Sequence, residues 1–261
     1  MRISLLTRLP SIASIPLRWV LIVPFVLQTV GVVALVEYLS YRSGHQAVLN
    51  LADRLMDKTS DRVEQELKNY LQTPLLINRL NVDAVQQGHL DLQNITALES
   101  LLFQRLRQFD QVSAVLFASP EGVFRGVERY PAWNLIVANP DRPDITSIYP
   151  LNSQGKPQKR IRTLSGVDVR RDRPWYKRAV QTGKLGWSPI FQHGPYQTLA
   201  LNASQPVYEP TTQRLLGVFS VHLRLDYLSK FLQSLEMSRS GQIIILEENE
   251  ALIATSTLEP I

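Results

Sequence analysis

The sequence predicts an α+β fold in which helices come first and an antiparallel sheet follows. Apolar residues recur at helical spacing as far as Phe109, and after Asp110 the pattern changes to short runs of period two. No long helix separates those runs, so the strands are expected to pair antiparallel, with helices on the faces of the sheet. A third observation precedes both. Trp19 to Val36 pass eighteen positions without a charge, and at about 1.5 Å per residue such a helix nearly spans a hydrocarbon core of ~30 Å.

That run is read as a transmembrane helix over residues 19–39, since Tyr38 and Leu39 extend it past Glu37. Trp19 and Tyr38 stand where interfacial aromatics stand, and Pro24 is tolerated in a membrane helix. Arg2, Arg8 and Arg18 precede it without an acid, which makes residues 1–18 a cytoplasmic tail and places the remainder outside the cytoplasm. A cleaved signal peptide has an apolar core of about 7–15 residues followed by a small-residue site. Here the run is longer and leads into Glu37-Tyr38-Leu39-Ser40-Tyr41. The expectation is a single-pass anchor in the inner membrane with an extracytoplasmic domain.

Residues 40–80 read as one long stalk helix. Val48, Leu51, Leu55, Val63, Leu67, Tyr70 and Leu71 fall near steps of three and four, and no proline interrupts before Pro74. Membrane lipid around the anchor and a homodimer through the stalk are the expected macromolecular contacts. Ile95–Phe109 is a second helix, reached through a polar link containing Gly88. Val112–Ala118 and Val123–Arg129 form a hairpin around the turn Ser119–Gly122. Residues 131–160, rich in Pro, Asn, Asp and Gly, read as a long excursion with one strand at Ile145–Leu151. A short helix at Pro174–Thr182 ends at Gly183; strands follow at Leu199–Tyr208 and Leu215–Leu225, then a helix at Asp226–Leu235. Gly241–Ser256 repeats the strand–turn–strand opening and begins a second unit. The expected division is therefore 81–236 for the main sheet module and 237–261 for an incomplete second one.

Composition narrows function. The chain has no cysteine, which excludes disulfides and thiolate metal sites. Its net charge of +5 is uneven: beyond residue 42 it carries 24 basic against 22 acidic residues, which is no nucleic-acid footprint. His45, His89, His193 and His222 show no metal-ligand spacing, and no phosphate-binding loop or nucleophile elbow occurs. Neither a cofactor nor enzymatic activity is expected.

Four features together resemble the double Cache (dCache) sensor domain of bacterial transmembrane receptors. They are the anchor, the long helix, the stretch Asp168–Phe191 with its Arg-x-Trp-Tyr core and Trp-Ser-Pro, and Gly217–Leu228 running into a helix and a second module. The resemblance covers roughly residues 40–261. It implies two PAS-like modules, with ligand held in the membrane-distal one and a truncated membrane-proximal one. It also implies an output through a histidine kinase, a chemotaxis domain or a cyclic-nucleotide enzyme, none of which this sequence encodes. In the amino-acid-binding subgroup, Arg173 and Trp175 correspond to residues that hold the ligand carboxylate and Tyr176 to one facing its ammonium group. Two positions depart from that set. Asp168 stands where a tyrosine is expected, and His222 where an acid pairs with the ammonium.

The residues themselves point the same way. Pro174 suits the first position of a helix, which puts Arg173 at a helix N-terminus, where an anion is favoured. Residues 156–184 hold ten Lys/Arg against Asp168 and Asp172. The expected ligand is small, anionic and carboxylate-bearing, does not require an amino group, and is held by Arg173, Trp175, Tyr176, Asp168 and His222. The same residues also suit a plain scaffold, since a Trp-Tyr pair opening a helix packs into many cores and a basic run is usually a solvated face. On that second reading the chain is a membrane-anchored interaction protein whose modules bind a partner protein.

Overall fold

A computed structural model of the chain describes residues 16–193, 198–235, 241–246 and 252–257. These fall into two units, one extending to Ser60 and the other starting at Asp61. Helix α1 spans Leu17–Gln86. From Arg18 to Asn50 every side chain is exposed, and this part is long and apolar enough to cross a membrane. Such a surface is compatible with a transmembrane helix, because apolar side chains facing lipid need no protein partner.

The second unit is built on one antiparallel sheet. After α2 (Ile95–Gln108), capped by the Asn94 side chain accepting from Ala97 N–H at 3.1 Å, the chain enters β1 (Ala114–Ala118) and β2 (Phe124–Glu128). Then come β3 (Asn134–Asn139), β4 (Arg142–Pro150) and β5 (Arg162–Ser165). A single-turn helix α3 (Val169–Asp172) and helix α4 (Pro174–Thr182) follow, then β6 (Gly186–Trp187) and β7 (Phe191–His193). Two long strands, β8 (Thr198–Tyr208) and β9 (Leu215–Arg224), complete the sheet before α5 (Asp226–Ser234). The strand order is β5-β4-β3-β2-β1-β9-β8-β6, with β7 also paired to β8. A separate two-stranded sheet joins β10 (Ile244–Leu246) to β11 (Leu252–Thr255). The α+β class, the helices, the hairpin at 112–129 and the pairing of the two strands within 241–256 stand as the sequence implies, while the turn between that last pair lies outside the described residues.

Residues 131–160 are the exception. The expected strand at Ile145–Leu151 is present as far as Pro150 within β4, but ahead of it a further strand, β3, replaces the excursion and pairs with it, in register from Asn134↔Pro150 to Val137↔Ser147. Leu135-Ile136-Val137 is a short apolar run, and Pro131, Pro140 and Pro143 on either side of the turn mask it as loop. Proline is tolerated here because β4 lies one strand from the sheet edge and its pairing with β3 is irregular around Pro143.

Both faces of the sheet are covered, and strand alternation sorts residues between them. Val115, Phe117, Val127, Phe219, Val221 and Leu223 pack with Tyr70 and Ile77 of α1, Leu98, Leu102 and Leu106 of α2, and Leu228 and Leu232 of α5. Ala254 of β11 joins this core, and Thr255 N–H donates to Ser229 Oγ on α5 at 3.4 Å. Polar anchors fix the layers. Asn78 Nδ2 donates to Ala203 O at 2.8 Å, Tyr70 Oη donates to Arg224 O at 2.6 Å, and Arg125 Nε pairs with Glu99 of α2 at 2.9 Å. The opposite face carries a smaller cluster of Ala114, Leu116, Ala118, Phe124, Ala138 and Val218 under Val169, Trp175, Tyr176 and Ala179.

Truncating the helix-side core is expected to cost most. Leu102→Ala should destabilise the second unit by about 2–5 kcal/mol, since Leu102 is fully buried. Ile161→Ala, at an exposed position, should stay within about 0.5 kcal/mol. Chemical denaturation of the two variants checks this; equal losses would mean that α2 is not packed on the sheet.

Candidate binding cavity

Beneath α3 and α4 the second face of the sheet is hollow. The cavity measures about 360 Å³ and is lined by Ala114, Leu116, Phe124, Glu128, Ile136, Asp144, Thr146, Ile148, Arg162, Leu164, Val167, Val169, Arg173, Pro174, Trp175, Phe191, Asn202 and His222. Its floor is one side of the pleat. Across the sheet the register places Glu128 of β2 beside Ala114 of β1, Ala114 beside His222 of β9, and His222 beside Asn202 of β8. Side chains in one such row point the same way, so Glu128, His222 and Asn202 share the floor. Small residues keep it open. A Cβ on Gly126 would lie 2.7 Å from Leu116 Cδ2, so a side chain there would push into the floor.

The roof follows from local sequence. Arg173 is extended (φ −97°, ψ 120°) and serves both as the C-cap of α3 and as the N-cap of α4. Pro174 starts α4 without losing a hydrogen bond, and Gly183 ends it in the left-handed conformation (φ 65°), its N–H donating to Ala179 O. This short helix buries Trp175, at 4% exposure, over the cavity. Arg173 lines the cavity while remaining exposed. Among the described residues its guanidinium has no hydrogen bond or ion pair, and Asp172 is the acid that acts on it electrostatically.

Of the five residues singled out from sequence, Arg173, Trp175 and His222 line the cavity. Asp168 and Tyr176 are not among its lining residues. Asp168 caps α3, accepting from Arg170 N–H at 3.0 Å and pairing with the Arg170 guanidinium at 2.8 Å. Arg170 Nη1 also donates to Pro120 O at 2.7 Å, so the pair ties the roof to the turn between β1 and β2. Tyr176 meets Trp175 edge to face (5.8 Å, 74°), and burial raises its phenol pKa, with Arg170 acting against that shift. Position along α4 explains the difference. Trp175 and Tyr176 are adjacent and lie about 100° apart around a helix, so they cannot both face one cavity squarely.

His222 is 7% exposed and stacks on Phe191 (5.8 Å, 23°). Beside it, Asn202 Nδ2 donates to Ser220 Oγ at 2.9 Å, and Ser204 and Ser220 share a hydroxyl contact of 2.9 Å. Most of the lining residues escaped the sequence reading as site candidates, among them Glu128, Asp144, Arg162, Phe191 and Asn202. Glu128 is the most telling. It is 8% exposed, accepts from Asn134 Nδ2 at 3.1 Å, and burial pushes its carboxyl up to about 7. The alternation Phe124, Gly126, Glu128 was the available signal, an acid on the inward side of a strand.

No protein-family model matches the sequence, and no curated protein matches it either. Solved structures do share its fold. The ligand-binding domain of the Campylobacter jejuni chemoreceptor Tlp3 in complex with L-norvaline superposes with a TM-score of 0.51 at 12% identity, covering 74% of this chain and 65% of that one. The ligand-binding domain of the Pseudomonas aeruginosa PAO1 amino acid chemoreceptor PctC in complex with GABA gives 0.50 at 18% identity, covering 77% and 74%. The chain thus spans just under two thirds of the Tlp3 domain. At these identities the likeness is one of fold, and the fold is that of dCache chemoreceptor sensor domains.

The raised Glu128 carboxyl has a consequence for stability. Its folded pKa of about 7 lies above the ordinary 4.5, so its contribution is fully present below about pH 4.5 and is lost as pH rises through 7. Glu128→Gln removes that dependence. Relative to wild type, the variant should gain on the order of 3 kcal/mol between pH 4.5 and 8. Denaturation midpoints of both proteins across this range check it, and parallel pH profiles would mean that Glu128 is solvated.

Proposed function

We propose that this chain is the ligand-sensing region of a membrane-bound bacterial receptor, and that the cavity under α4 takes a small carboxylate-bearing ligand. One observation carries the reading. Arg173 stands at the cavity wall, at the start of a helix, without a protein carboxylate bonded to it among the described residues. Its planar fork suits a ligand carboxylate, and Trp175 supplies an apolar wall beside it. The ligands of the two structural neighbours, L-norvaline and GABA, each carry a carboxylate. A cavity lined by charges of both signs favours this reading over a scaffold that binds only a partner protein.

On this proposal α1 anchors the chain in the lipid of the inner membrane with the N-terminus cytoplasmic, and residues 81–236 form the membrane-distal sensor module. The exposed stripe Val48, Leu51, Leu55 on α1, at steps of three and four, supports pairing of two copies. The chain has no cysteine, so Leu51→Cys is a clean probe. In intact cells it should react with a membrane-impermeant maleimide and form a disulfide-linked dimer on oxidation. Labelling only after lysis would reverse the topology, and a monomer after oxidation would remove the stalk dimer.

Arg173→Ala tests the site. A charge-assisted hydrogen bond contributes about 1.5–3 kcal/mol, so the variant should bind carboxylate ligands roughly 10- to 100-fold more weakly. Lys159→Ala, on the solvated basic face, should bind as wild type does. Calorimetric titration of the full chain in detergent micelles with pentanoate and butyrate measures this. Affinity indifferent to Arg173→Ala would overturn the assignment.

A further inference from the structure

The cavity floor holds an acid that the expected pattern does not contain. His222 stands at the strand position where an ammonium-pairing carboxylate is expected, yet Glu128 lies in the same row, two strands away across Ala114. At 4.7–4.9 Å per strand that separation is roughly 10 Å. Glu128 is buried and lines the cavity. Among the described residues its hydrogen-bond partner is the neutral Asn134 amide, and no Lys, Arg or His pairs with it. A buried carboxyl without a cation is costly, and it is the kind of group a functional site retains.

A second atom points the same way. Asn202 Oδ1, buried in the same row, has no hydrogen-bond partner among the described residues while its Nδ2 is committed to Ser220. Among the described residues the floor therefore offers Asn202 Oδ1 without a donor and a Glu128 carboxyl bonded only to a neutral amide, whereas Arg173 offers donors without an acceptor. A ligand that satisfies both carries negative charge at one end and N–H groups at the other.

We propose that Glu128 is a specificity-determining residue that pairs with a cationic nitrogen of the ligand, so that the cavity prefers zwitterions over simple carboxylates. This rests on the carboxylate reading at Arg173 and revises the sequence expectation that an amino group is dispensable. The acid has moved to another strand. The charged and titratable groups that share the cavity with Glu128 are His222 on β9, Asp144 on β4, Arg162 on β5 and Arg173 before α4. None is hydrogen-bonded to its carboxyl. Glu128 titrates near neutrality, and only its ionised form attracts a cation. Zwitterion affinity should therefore rise about tenfold per pH unit up to roughly pH 7 and then level off.

The test is calorimetric titration of the full chain in detergent micelles with L-norvaline against pentanoate and GABA against butyrate, plus butylamine. Wild-type protein should bind at least one zwitterion roughly 10- to 100-fold more tightly than its deaminated partner. Glu128→Gln keeps the shape and should abolish both that preference and the pH dependence, while melting no earlier than wild type at pH 8. Acids binding as well as zwitterions, a preference or pH profile that survives Glu128→Gln, or no zwitterion binding at all would overturn the proposal. The two readings fail separately. If pentanoate binds through Arg173 but norvaline gains nothing from Glu128, the carboxylate site stands alone. If butylamine binds through Glu128 while Arg173→Ala changes nothing, the cation site stands and the carboxylate reading falls.

Discussion

The second unit depends on one constraint, the period-two alternation of the central strands β2, β1 and β9. In these strands successive side chains must leave opposite faces of the pleat. Val115 and Phe117 go to the helix side, so Ala114 and Leu116 have no choice but the cavity side. The register then carries that sorting across the sheet, from Glu128 through Ala114 and His222 to Asn202. A slip of one residue would bury Glu128 against α2 and turn Val127 into the cavity. The helix-side core therefore determines which groups a ligand can meet.

Two polar devices keep that register in place. The Arg125–Glu99 pair is largely buried, and Arg125 also donates to Phe124 O and Ala138 O at 2.8 and 2.7 Å. It thus binds β2 to α2 while satisfying backbone carbonyls along its own strand pair. Buried ion pairs add little net stability, because desolvation offsets the attraction, but removing one partner is expensive. That asymmetry makes the pair a device for register. On the same face of the sheet, Tyr70 bonds the carbonyl of Arg224, two residues beyond His222, and stacks on Tyr227 at 4.8 Å. The strand that carries His222 is consequently joined directly to α1.

Most of the fold was legible because its signals are local. Apolar alternation marked β1, β2, β8 and β9, and Pro174 with Gly183 delimited α4 to the residue. What escaped was decided by context. Prolines hid β3 and the start of β4, since proline argues against a strand unless the pairing is known to be irregular around it. Asp168 and Tyr176 matched a site pattern by position, while a cap on α3 and a turn of about 100° along α4 place them outside the cavity lining. Glu128 sat in a readable strand, but its face could be assigned only once the partners of Val127 were known. A strand pattern states that two faces exist and leaves open which of them is hollow.

The hollow face carries an energetic cost that the remainder of the unit has to cover. Burial of Glu128 opposes ionisation, and Gly126, Ala114 and Ala138 fill little of the space beneath the roof. A sheet selected for stability alone would place a leucine at 128 and larger residues around it, gaining about 1.5–3 kcal/mol for each side chain newly buried. The opposite face shows that this sequence can do so, since Phe117, Phe219, Leu223 and Leu102 there leave almost no exposed surface. Tight packing on one side and an acid over a void on the other are therefore separate outcomes of the same strands. The dense face pins α1, α2 and α5, and its stability allows the sparse face to hold charge out of water. Arg173 at the exposed wall and Glu128 on the buried floor then put a base and an acid on the lining of one cavity.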